Sequence, residues 1–157
     1  MRPLVGVLVL VAMACGATSA RSQEDAPPDV VRAAEASNAA FRCAVLAAIS
    51  VPTGEPSPDT IRLAKYALPL ARKFNEWMVP RMLDRPATVG PWRDFLAEVD
   101  TDFWVGMAYA NASQWVEQRM SILAPLTGGE SSEDWSLRRQ LEARAEYTSQ
   151  NCNLLGP

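Results

Sequence analysis

The chain contains no histidine. Without an imidazole there is no Ser-His-Asp or Cys-His nucleophile relay, and no His-ligated zinc or haem. Cysteine is almost as scarce, at three residues, and lysine is confined to Lys65 and Lys73. No Gly-rich phosphate loop follows an apolar run, which removes the common nucleotide-binding signatures. An enzyme built on this chain would have to work with carboxylates, arginine and tyrosine, and the residues imply no cofactor and no metal. A basic run is missing too. The formal charge is −3, so the chain carries no electrostatic footprint for nucleic acid.

Long hydrophobic stretches are absent apart from one near the start. Leu4 to Met13 is apolar and broken only by Gly6, shorter than the about 20 residues a transmembrane helix needs. Arg2 precedes it and Thr18-Ser19-Ala20 follows it, the order of a secretory leader with small residues at its cleavage site. Residues 1–20 are therefore expected to be a signal peptide. Ala12-Met13-Ala14-Cys15 also resembles a bacterial lipobox, so acylation at Cys15 is the alternative processing. In either case the expected destination is the periplasm, the envelope or the extracellular space. Without its leader the chain carries −4, because Arg2 is the leader's only charge.

That leaves Cys43 and Cys152. Two thiols in an oxidising compartment pair by default, and the bond closes a loop of about 110 residues.

Residues 21–28 read as a flexible segment, and 29–157 as a single helical domain. Apolar residues recur in steps of three and four through four long segments, and no stretch alternates as a strand would. In the first, Val31, Ala34, Asn38, Phe41, Val45 and Ala48 share a face, and small alanines from Ala33 to Ala44 permit close packing. The second starts at Ser57-Pro58-Asp59, a cap, a proline suited to the first turn and an acid suited to the dipole. Its stripe is Ile61, Ala64, Leu68, Ala71, Phe74 and Met78, continuing in phase through Pro69, so one kinked helix is expected. Pro80 and Pro86 predict a broken connection over 79–91. A short helix with Phe95 and Leu96 as anchors precedes a long one from Asp100-Thr101-Asp102 to Ala124. Its apolar surface is wide, which predicts the central helix of the fold. The last helix opens at Ser131 to Asp134, with Leu137, Leu141, Ala145, Thr148 and Cys152 as its expected inner face. The expectation is an all-α, four-helix bundle-like array stapled by Cys43–Cys152.

The staple constrains the topology. Cys43 lies roughly 20 Å along the first helix at about 1.5 Å per residue, whereas Cys152 closes the last. Either the start of the first helix overhangs the bundle or the 79–100 connection breaks the simple order; the second is expected.

Two clusters stand out as candidate sites. Asp94, Glu98, Asp100 and Asp102 gather at a helix start, as a cation site or a carboxylate pair acting on a glycan would. An EF-hand loop from Asp100 fails, because Val105 replaces the required glycine and Asn111 the terminal glutamate. Helix capping and a solvated face explain the same acids. Trp92, Trp104, Trp115 and Trp135, with Tyr109, are the candidate ligand or partner contacts; helix-end anchors and core are the plainer explanation. The leading expectation is a non-enzymatic exported protein that binds another envelope or secreted protein, as an inhibitor, immunity factor or assembly partner does. A small-ligand carrier with a Trp-lined cavity, or a carboxylate-dependent enzyme acting on cell-wall glycan, is the alternative.

Overall fold

The helix starts are set by local capping chemistry. The computed structural model describes residues 26–52, 56–85 and 89–156; the leader, Cys15 and residues 21–25 lie outside them. Helix α1 (Pro28–Ile49) opens on a proline with Asp29 in its first turn. In α2 (Pro58–Leu83), the Ser57 hydroxyl accepts from Thr60 N at 3.1 Å. A short α3 (Pro91–Glu98) leads into α4 (Thr101–Leu123), where the Asp100 carboxylate accepts from Phe103 N at 2.8 Å. Helix α5 (Ser132–Ser149) is capped by Ser131, which accepts from Asp134 N at 3.1 Å. Asn151 turns the chain at φ 54° into a 3₁₀ turn, Cys152–Leu154; asparagine is among the few residues that visit this region readily. The described residues form no strand.

Helix α2 runs through Pro69 and also through Pro80, to Leu83. The expected break over 79–91 therefore begins later. Both rings are exposed, so the backbone bond each proline removes is lost on the solvent side, where water replaces it.

The four long helices alternate in direction. Lys73 reaches Asp29 at 2.6 Å, and Arg72 beside it reaches Asp102 at 2.7 Å, which sets the starts of α1 and α4 at one level of α2. Further along, Phe41 meets Tyr109 edge-on at 5.7 Å, and the Arg42 guanidinium lies 4.3 Å from the Trp115 ring centre. Helices α1 and α4 are thus parallel, with α2 antiparallel to both. Helix α5 returns against the last third of α1, where Cys43 is bonded to Cys152, just past the end of α5, with Cα atoms 5.5 Å apart. The simple alternation is kept, contrary to the expectation that the 79–100 connection breaks it. The spacing of the cysteines is absorbed by overhang: about 15 residues of α1 extend past the end of α5.

The central helix is α1, not α4. It packs against α2, α4, α5 and the terminal 3₁₀ turn, and its buried set is dominated by small side chains: Ala33, Ala34, Ser37, Ala40, Ala44 and Ala47, with Phe41 and Leu46 as the large ones. Val31 is only half-buried, and Asn38 and Ala48 are exposed, so the expected face is broader and rotated. Helix α2 turns Leu63, Ala67, Ala71 and Asn75 inward, leaving Ile61 and Leu68 exposed. The largest error concerns α5. Its inward residue is Ala143, whereas Leu137 and Leu141 are 57% and 60% exposed. The same overhang explains this, since α5 starts well beyond the end of α1 and its first turns find only the end of α4.

Candidate functional site

Helix α4 positions most of the residues in question. Its buried line is Val105, Ala112, Val116 and Met120. On the opposite side Phe103, Met107, Ala110, Gln114, Gln118 and Ile122 succeed one another in steps of three and four, all exposed. None of these side chains is charged. The three charged residues of α4 are each held by a neighbouring helix: Asp102 by Arg72, Glu117 by Arg139 at 2.5 Å, and Arg119 by Glu146 at 3.1 Å. Such exposed pairs contribute little stability. Their consequence here is to hold the charges at the helix margins. What remains outward is a neutral strip over about five turns, with large apolar groups at both ends. Phe103 is 40% exposed and Ile122 71%.

An aromatic ladder borders the start of this strip. Phe95 of α3 meets Phe103 edge-on at 5.7 Å, and Phe103 meets Trp104 likewise at 5.4 Å. Trp104 is half-buried, and its indole N–H is enclosed without a hydrogen-bond acceptor. Leu96, the other expected anchor of α3, is fully buried. Trp115 packs against the core beneath Arg42. Trp135 anchors the start of α5 by donating to Ala124 O at 3.1 Å, with Arg139 5.3 Å from its ring centre. Tyr109 is half open on the edge of Phe41. The Trp92 side chain lies outside the described residues. Trp104, Trp115 and Trp135 are thus distributed among separate contacts and do not converge on one cavity among the described residues.

The acidic cluster divides by role. Asp100 caps α4, Asp102 pairs with Arg72, and Asp94 and Glu98 stand exposed on α3. Among the described residues no three His, Cys, Asp or Glu side chains gather closely enough to hold a metal ion. Arg138 and Arg139 are likewise occupied. Arg138 bonds Glu130 at 2.7 Å and Pro125 O at 2.6 Å, and its guanidinium holds the Glu130 carboxyl down at about 2.

Two open clefts of about 430 Å³ each mark the surface elsewhere. One lies along α2 between Arg62, Tyr66 and Pro69, beside the Leu155–Gly156 tail; Arg62 donates to the Leu155 carbonyl there. The other joins the end of α1 to α5 and is lined by Ser50, Asp59, Arg144 and Tyr147. Burial, then the Asp59 carboxylate, raise the Tyr147 phenol above its ordinary value, and its buried hydroxyl has no hydrogen-bond partner. Sequence reasoning missed both clefts, because one lies where the chain's tail returns beside α2 and the other where α5 meets the end of α1.

No protein-family model, curated protein or solved structure matches this chain. No helix among the described residues is long and apolar enough to cross a membrane.

Proposed function

We propose that this chain is an exported helical binding protein that works by contact with another protein of the periplasm, envelope or extracellular space. The observation that carries the reading is the neutral outward strip of α4. A surface element whose every charge is drawn to its margins resembles the core of an interface, depleted of charge, with a polar rim. The Cys43–Cys152 bond supports the compartment, because such bonds persist where thiols are not kept reduced.

A photo-cross-linking residue in place of Met107, introduced in the native host, tests the reading. The expected result is one stoichiometric adduct, absent when the same probe replaces Glu76 on the exposed side of α2. Recovery of the free chain alone from both positions contradicts it.

A further inference from the structure

The cleft where α5 meets the end of α1 gathers polar groups whose bonding is incomplete. We infer that it binds a small zwitterion, an amino acid or short peptide, whose carboxylate pairs with Arg144 and whose ammonium pairs with Asp59. No residue of α4 lines this cleft, so the site is separate from the neutral strip.

Two walls form it. The end of α1 and the start of α2 contribute Ser50, Ser57 and Asp59; α5 contributes Arg144, Tyr147 and Thr148. Arg144 and Tyr147, three apart, are neighbours on one face of their helix. Arg138 and Arg139 of the same helix are each held by a glutamate, whereas the Arg144 guanidinium meets no acceptor among the described residues. Asp59 accepts from Arg62 twice at 3.2 Å, both times through Oδ1, and its other oxygen takes no hydrogen bond among the described residues. The Tyr147 hydroxyl is enclosed and has no partner. Enclosed polar groups nearly always have one. Here a phenol, a guanidinium and a carboxylate oxygen lack one at a single cleft.

The balance of donors and acceptors selects the ligand. Ser50 and Thr148 spend their hydroxyl protons on the backbone carbonyls of Ala47 and Arg144, so toward a ligand both accept. An ammonium brings three donors and no acceptor, which suits these oxygens and the Asp59 carboxylate. The last turn of α1 holds no basic residue, and the negative end of that helix also favours a cation. On the α5 wall the guanidinium can only donate, and a carboxylate meets it with two parallel bonds. Asp59 and Arg144 are the charged residues lining the cleft, so its charge is balanced and a ligand bearing both signs fits it best. The volume of about 430 Å³ lies near the low end of the about 300–1,000 Å³ of small-molecule sites, which limits the ligand to a short peptide.

Amide-resolved NMR titration of the disulfide-bonded chain with alanylalanine tests the assignment. Saturable one-to-one shifts are expected over 47–51, 57–60 and 144–148, with a Kd of about 1 mM or below. Alanine is titrated beside it, and the tighter binder identifies the source as a peptide or an amino acid. The C-terminal amide and the N-acetyl form of the peptide should each bind about tenfold more weakly, because each loses one charge-assisted contact. Arg144→Gln should bind the peptide and its amide alike, and Asp59→Asn the peptide and its N-acetyl form alike. Arg144 is exposed and Asp59 half-exposed, and unchanged amide spectra away from the cleft verify that both variants are folded. A parent without saturable shifts, capped peptides that bind as the free one does, or variants that keep the parent's preferences overturn the proposal.

Discussion

Trp135 donates its indole N–H to the carbonyl of Ala124 at 3.1 Å, fastening the first turn of α5 to the end of α4. Ala124 is buried, and its backbone N–H closes α4 on Met120 O. The bond thus seals a helix end that would otherwise leave a carbonyl without a partner. Trp135→Phe keeps a ring in place and removes the donor. The expected cost is about 1 kcal/mol, read from urea unfolding, with faster amide exchange over 132–136. Unchanged stability would return Trp135 to the role of a partner contact.

Acid should loosen the same corner. The ordinary glutamate value for Glu130 is 4.5, and Arg138, through its hydrogen bonds, holds it at about 2 in the folded chain. A carboxyl depressed on folding stabilises at pH above its unfolded value and loses that contribution as pH falls toward its folded one. The difference in melting temperature between the parent and Glu130→Gln should be constant above about pH 5 and shrink toward zero near pH 2. A difference independent of pH contradicts the Arg138–Glu130 clasp.

Two leucines separate the observed core from the expected one. Leu63 is fully buried between α2 and its neighbours, so Leu63→Ala should cost about 2–5 kcal/mol. Leu141, expected on an inner face, is 60% exposed, and Leu141→Ala should stay within about 0.5 kcal/mol of the parent. Denaturant midpoints of the two variants check both values; the reverse ranking would restore the face first read for α5.

The acidic cluster is tested at its cap. Asp100→Ala should cost about 1 kcal/mol, and Asp100→Asn much less, because asparagine caps nearly as well. Added calcium should leave the melting temperature of the parent unchanged. A calcium-dependent rise that Asp100→Asn abolishes would instead make this cluster a cation site.

Much of this architecture was legible because it is local. Ser57, Asp100 and Ser131 each cap the helix they announce, since capping needs only a side-chain oxygen and the next three residues. The cysteine pairing was legible from arithmetic, and the all-α class from periodicity. The direction in which each helix faces was not. Helices α1, α2 and α5 turn alanines inward. Ala71 was expected there, but Ala67 and Ala143 give a weaker periodic signal than Ile61, Leu68, Leu137 and Leu141, which the fold leaves exposed. Which side wins is set by the axial slide of α5 and by the central place of α1, and both are tertiary facts. The wide apolar surface of α4 was visible in the sequence and is largely covered, Tyr109 and Ile122 excepted; the uncharged strip on its other side was not foreseen.

Peptide mapping of the chain taken from its native compartment, alkylated before any reduction, tests the account most directly. The account predicts one cross-linked peptide pair joining Cys43 to Cys152, no alkylation at either residue, and an N-terminus beyond the apolar leader. Alkylated Cys43 and Cys152 on a chain that keeps its leader in the cytosol would contradict it.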